Sequence, residues 1–454
     1  MENNNQPDLT VPSPVNPLPP APKKINNKIL VIIILAVVAV VVSFLALNRQ
    51  GKIPPPVDGP TAHNPTPAPK ADDKGATPEG INSVTDASNQ FALDLYAELK
   101  NNQGNIFFSP YSISTALAMT YEGARGKTAE EMQKVFYFPA DNNARRSAFA
   151  AIHNQLNEPN AKYQLSLANA LWAENDYKFL NGYLETVAKY YAGKATNLNF
   201  KGAAEEARQT INQWVENKTN NKIKKLFPQD TLTADTRLVL TNAIYFKGTW
   251  VKQFEKNKTK ASDFRASPAN TVQVPMMQQT NEKTKFNYTE TADVQVLEMP
   301  YEGEKLSMMV LLPKNDDLPA LENSLSLAKI NDWRKKLIQQ HVDVFMPKFT
   351  FDTKYFMAET LAKMGMPTAF TDNADFSGMD GTKSLSIQNV IHQAFVDVNE
   401  EGTEAAAATG GSMGITSIMP QTLTFRADHP FIFIIQDKAN GGILFFGRVS
   451  NPGK

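Results

Sequence analysis

The chain has no cysteine among its 454 residues. That excludes disulfides, thiolate metal sites and a cysteine nucleophile. A fold without cross-links must be held by a sizeable apolar core, and this chain is long enough to form one. Net charge is absent too, with 46 basic residues against 46 acidic ones. No global basic field draws the chain to nucleic acid, so no nucleic-acid partner is expected. Histidine is scarce: His63, His153, His341, His392 and His429 are the only ones. None are spaced at i, i+4, so the helical zinc motif is missing. No metal and no other cofactor is expected. There is no internal repeat.

One long apolar run is present. Ile29–Leu47 carries no charge over 19 residues, close to the about 20 that span a bilayer. Lys23, Lys24 and Lys28 precede it in a short tail, which favours the tail inside. A cleaved signal peptide is the alternative, but its apolar core and leader would be shorter, and Leu45-Ala46-Leu47-Asn48 is a poor cleavage site. The absence of cysteine rules out a lipoprotein. The expected plan is a Pro/Asn-rich tail at 1–28, an anchor at 29–48 and a stalk at 49–80. The stalk carries Pro54-Pro55-Pro56, Pro60, Pro65, Pro67, Pro69 and Pro78. Such a segment cannot bury enough surface to fold. The rest of the chain is placed outside the cytoplasm, or secreted if the leader is cut.

Residues 81–454 read as one mixed α+β domain. Phe91, Leu95 and Leu99 recur at i, i+4, i+8 over Gln90–Leu99 and predict a helix. A second helix has Ser109 as cap, Pro110 in its first turn and Gly123 as its stop. Thr128-Ala129-Glu130-Glu131 reads as a capping box, and residues 211–216 belong to a further helix. Leu238–Phe246 is apolar on both faces except at Thr241 and Asn242, the pattern of a covered central strand. Leu306–Leu312 is a second buried run. Val342–Met346 and Phe349–Phe351 flank Pro347 as strands. Phe431–Gln436 and Ile443–Phe446 bracket Asn440-Gly441, a hairpin signal.

The segment Asn399-Glu400-Glu401-Gly402-Thr403-Glu404-Ala405-Ala406-Ala407-Ala408-Thr409 follows the strand-like run Phe395–Val398. An exposed loop does not need four alanines; turn chemistry prefers Asn, Asp or Pro. Side chains this small suit a segment that must slide between elements already packed. Two other readings stand beside it. Alanine is the best helix former, so Thr403-Glu404 could open a helix that Gly410-Gly411 ends. And Gly410-Gly411-Ser412-Met413-Gly414 fits G-x-S-x-G, the nucleophile elbow, with Asp428-His429 as its only downstream acid and base.

The segment resembles the reactive-centre hinge of serpins, the serine protease inhibitor family. The resemblance continues in order across the domain. It rests on Asn105-Ile106-Phe107-Phe108-Ser109-Pro110-Tyr111-Ser112 and on Gly123-Ala124-Arg125-Gly126-Lys127-Thr128. It runs on through 212–216, through Thr241-Asn242-Ala243-Ile244-Tyr245-Phe246-Lys247-Gly248-Thr249-Trp250, and through 364–366, 374–379 and 392–395. It ends at 425–431 and 446–449. The resemblance implies the serpin fold: a large mixed central β-sheet, further sheets, about nine helices and an exposed reactive-centre loop. It implies a monomeric suicide-substrate inhibitor, here a membrane-anchored and prokaryotic member. The partners would be target proteases, serine proteases first and cysteine proteases second.

Site residues follow from the same resemblance. Glu400, Glu401, Gly402, Thr403, Glu404 and Ala405, Ala406, Ala407, Ala408 would be the hinge. Ser109, Ser112, Asn242 and His392 would be the polar cluster where the sheet parts, and Trp250 would sit where the loop goes in. Read without the family, His392 and Asn242 are ordinary core residues with satisfied hydrogen bonds, and Trp250 is ordinary core. Counting from Gly402, the reactive bond falls at Thr416-Ser417. A strand of a dozen residues going into the sheet could release on the order of 10 kcal/mol in ladder bonds. The glycines at 410, 411 and 414 are poor strand residues and work against insertion.

Overall fold

A computed structural model of the chain describes residues 70–158, 162–281, 284–403 and 423–453. Ten α-helices and sixteen strands, numbered here along the chain, lie among these residues. The first helix, α1 (Pro78–Leu99), begins well before the periodic stretch at 90–99. Thr77 accepts a hydrogen bond from the Gly80 N–H, and Pro78 takes the first turn. Helix α2 (Pro110–Tyr121) is capped by Ser109, which accepts from the Ser112 N–H. Helix α3 (Gly126–Phe136) does not use the expected capping box. It starts two residues before Thr128, and the Thr128 hydroxyl accepts from the Asp375 N–H at 2.9 Å. Glu131 takes the Thr368 N–H and hydroxyl at 2.9 and 2.8 Å. Both side chains serve a distant segment, because tertiary contacts outbid the local cap. Helices α4 (Asn142–Leu156), α5 (Asn181–Tyr191) and α6 (Phe200–Lys218) follow.

The central sheet has six strands in the order β11-β12-β13-β4-β2-β3. These are Phe349–Phe356, Asn389–Val398, Gly402–Thr403, Leu238–Thr249, Tyr163–Glu174 and Lys194–Leu198. It is mixed. β12 runs parallel to β4, with Asn389 through Phe395 opposite Val239 through Tyr245. β2 is antiparallel to β4 and parallel to β3. Most of β4 is buried, as its two-faced apolar pattern predicted.

A second, curled sheet joins β1 (Ile106–Phe108), β16 (Ile443–Val449), β15 (Phe431–Asp437), β9 (Leu306–Pro313) and β8 (Val294–Pro300). It continues through β7 (Lys285–Glu290), β10 (Ile338–Pro347), β6 (Asn270–Gln279) and β5 (Lys260–Ser267), with β14 (Leu423–Arg426) parallel to β10. β15 and β16 form the predicted hairpin, and Gly441 takes φ 71 in its turn. Every residue of β9, β15 and β16 is buried. Among the described residues no helix is long and apolar enough to cross a membrane. The expected anchor at 29–48 lies outside the described residues.

Candidate functional site

Ser109, Ser112, Asn242 and His392 come together between α2 and the middle of the central sheet. All four are buried. The register brings Asn242 of β4 opposite His392 of β12. The Ser109 N–H donates to His392 Nε2 at 3.1 Å. The imidazole therefore carries its proton on Nδ1 and donates to Asn242 Oδ1. Asn242 Nδ2 donates to Ser112 Oγ at 2.5 Å and to Asn169 Oδ1 at 2.6 Å. Ser109 Oγ in turn accepts from the Ser112 N–H and donates to Leu444 O at 2.6 Å. Burial pushes His392 down to about 3, so the ring is neutral at physiological pH. Each polar group in this apolar setting is paired, which is what burial demands.

Asn169 is the fifth member, and the sequence reading missed it. It stands on β2 directly opposite Asn242. Its signal was the one used for Asn242: an amide inside an otherwise apolar strand, Leu167-Ala168-Asn169-Ala170-Leu171.

The expected hinge divides at Thr403. Gly402 and Thr403 form β13, wedged between β12 and β4 beyond the point where those two pair directly. Gly402 lies so close to β4 that a Cβ there would sit 2.0 Å from Gly248 O. Thr403 is 1 % exposed, and its hydroxyl is 2.8 Å from the Tyr301 hydroxyl. Trp250 stacks on Tyr301 with ring centroids 4.5 Å apart. The Trp250 indole donates to Asn399 O at 3.1 Å, and its backbone N–H to Glu401 O at 2.8 Å.

Glu400 and Glu401 are buried behind this wedge. Glu400 takes the Thr259 hydroxyl at 2.7 Å and the Lys348 ammonium at 2.8 Å. Burial alone would push its carboxyl up; those two partners outweigh it and hold it below the usual carboxylate range. Glu401 pairs with Lys256. Sequence reasoning missed Tyr301, Lys348, Thr259 and Lys256, since no local pattern announces a partner on another element. Glu404, Ala405, Ala406, Ala407 and Ala408, and the expected bond Thr416-Ser417, lie outside the described residues.

The hydrolase reading loses its base. His429 Nδ1 lies 2.8 Å from Asp428 Oδ1, and Nε2 lies 2.7 Å from Pro313 O. Both ring nitrogens are engaged with acceptors, leaving none to activate a serine. Burial would lower His429, but Asp428 and Pro313 O prevail and raise it.

Comparison with known proteins fits this arrangement. The family model "Serpin (serine protease inhibitor)" matches residues 86–452. A serpin-like protein of Thermococcus kodakarensis is 45% identical over 372 residues, covering 81% of this chain and 86% of the relative. The human leukocyte elastase inhibitor is 41% identical over 382 residues, covering 82% and 100%. The crystal structure of uncleaved ovalbumin superposes with a TM-score of 0.74 at 33% identity, covering 82% of this chain and 100% of that one. Human thyroxine-binding globulin complexed with thyroxine superposes with a TM-score of 0.75 at 30% identity, covering 82% of this chain and 99% of that one. The chain belongs to the serpin family, whose members are protease inhibitors in general and not enzymes.

Proposed function

We propose that this protein is a monomeric suicide-substrate inhibitor of serine endopeptidases, elastase-like or subtilisin-like, with cysteine proteases as a second class. A protease cuts the loop that follows Gly402–Thr403, at Thr416-Ser417. The freed segment then enters between β4 and β12 and traps the acyl-enzyme. One observation carries this reading: β13 already occupies the mouth of that gap, in register with β4 and β12, while below it the two strands meet only each other. The segment that follows Thr403 is small and uncharged except at Glu404, so alternate side chains could be buried without an unpaired charge. The elastase-like preference draws support from the human relative, a leukocyte elastase inhibitor. The decisive experiment is incubation with elastase and subtilisin, read on a denaturing gel. A stable covalent complex is expected, and Ser412→Ala should form it equally well.

The second reading is a non-inhibitory serpin acting as a binding module. Gly410, Gly411 and Gly414 favour it, because glycines weaken a strand. Loop cleavage without a covalent complex would select it.

Placement belongs to the same proposal. We place 29–48 as a single-pass anchor, with 1–28 inside and 49–454 outside, in a prokaryotic membrane. Archaeal relatives support the source, and the flanking lysines support the direction. Protease shaving of intact cells should remove the globular part. A soluble protein beginning near Asn48 would show signal cleavage instead.

A further inference from the structure

Residues 70–77 precede the segment that the family model matches, which begins at 86. They nevertheless run along α4, against its direction. The Ala71 N–H donates to Asn154 Oδ1 at 2.9 Å, and Asn154 Nδ2 donates back to Ala71 O at 2.9 Å. The same amide reaches Asp73 Oδ2 at 2.9 Å. One α4 turn pair further back, Ser147 Oγ donates to Lys74 O at 3.1 Å. Between these contacts the segment also holds α5. The Asp72 N–H donates to Lys189 O at 2.7 Å, and the Asp72 carboxylate is 3.3 Å from Lys189 Nζ. Ala71 is buried.

The two helices so joined reach the central sheet by routes that end on opposite sides of its gap, although α5 is also held to α2 by the Tyr183 hydroxyl, 3.1 Å from Met119 O. α4 packs on α1, and α1 on β16. β16 pairs with β1, which lies against β12. α5 packs on β3, and β3 is joined through β2 to β4. A strand arriving between β4 and β12 must move them apart by one strand spacing, about 4.8 Å. The α4 and α5 sides must then shift relative to each other. They already meet at Glu122, which takes Arg145 and Arg146 from α4 and Tyr191 from α5, and where Phe149 packs on Tyr191 and Arg146 lies over Tyr190. Residues 71–74 add a further tie, one that lies outside the family-matched segment.

We propose that Ala71–Lys74 is a strap that binds α4 to α5 across this boundary and slows opening of the central sheet. A restraint that holds in the closed sheet and is lost on the way to the open one raises the barrier to opening. This rests on the insertion reading above.

The test uses the full-length uncut chain and a synthetic peptide of residues 403–415. Peptide uptake is followed by the gain in thermal midpoint. Hydrogen exchange at the Ala71 and Asp72 amides reports strap occupancy separately. Both amides should be protected in the parent. Asn154→Ala removes the paired clamp, and Ala71→Pro removes its donor from the strap side without touching α4. Each should expose the Asp72 amide and take up peptide about fivefold faster, the equivalent of one net hydrogen bond. Lost protection with an unchanged uptake rate overturns the strap and leaves the insertion reading standing. Amides unprotected in the parent overturn the strap as well. Failure of every chain, parent included, to take up peptide overturns the insertion reading itself and the strap with it.

Discussion

The Thr403 hydroxyl lies 2.8 Å from the Tyr301 hydroxyl, and both residues are almost wholly buried. Burial pushes the Tyr301 phenol up, so it stays neutral and can donate or accept. Tyr301 is fixed in turn by its stack on Trp250. Thr403 is therefore held at the first position a growing strand would occupy, by a partner that fits a small hydroxyl side chain.

Thr403→Arg places a charge at that buried position, and Glu400 and Glu401 close by already hold lysine partners. The hinge should then remain outside the sheet while the remaining fold persists. Covalent complex with a trapped protease should fall by about tenfold or more, with cleaved loop accumulating instead. A variant that forms as much complex as the parent removes Thr403 from the mechanism.

Gly402→Ala addresses the backbone. Its Cβ would meet Gly248 O at 2.0 Å and Thr249 Cα at 2.8 Å, both main-chain atoms with nowhere to go. Overpacking of this kind costs about 1–3 kcal/mol. The two-residue strand should leave the gap, and the Trp250 N–H should lose its acceptor at Glu401 O. Hydrogen exchange at the Trp250 and Thr403 amides should rise together. Unchanged protection at both would mean that the sheet absorbs the methyl group.

The parts of this site that the sequence made legible are those with a local signature. Ser109 and Pro110 announce a capped helix, and the structure caps it as read. Asn242 in an apolar strand announces a buried amide that needs a partner. The hidden parts are relations across elements. Asn169 meets Asn242 only because β2 and β4 pair in that register. Lys348 meets Glu400 across 52 residues of chain. The capping box at Thr128 was misread for the same reason, since its two polar side chains are claimed by Asp375 and Thr368. Local propensity is a weak prior when a tertiary partner is available.

His392 gives a pH dependence with a definite sign. In the folded state the ring is neutral, its pKa pushed by burial to about 3. In the unfolded chain it takes up a proton below about 6.5. The unfolded state thus binds more protons as pH falls from about 6.5 towards 3, and stability is lost across that window at up to about 1.4 kcal/mol per pH unit. Above 6.5 this contribution is constant. His392→Gln removes the titration, so its stability should fall less steeply than the parent's in denaturant melts between pH 6.5 and 4. Equal slopes in the two proteins would show that the folded ring takes up its proton over the same pH range as the unfolded one.

The bond attacked is expected at a fixed distance from the hinge. Counted from Gly402, the loop length usual in serpins puts the cut between Thr416 and Ser417, with Ile415 before it and Ile418 after it. Thr416 is small, β-branched and uncharged. It offers no partner to an acidic pocket and too little area for a deep aromatic one, so shallow apolar pockets suit it best. Met413 and Met419 are the competing positions, each flexible enough to fill a larger pocket. Mass spectrometry of the C-terminal fragment released with a trapped protease separates the three. A fragment starting at Ser417 is expected; one starting at Gly414 or Pro420 moves the bond to a methionine. On the proposed mechanism the same cut should raise the thermal midpoint sharply, because the freed segment would become a strand between β4 and β12 and the uncut form would be held kinetically. A midpoint that stays level or falls after cleavage would place the chain among serpins whose loop does not insert.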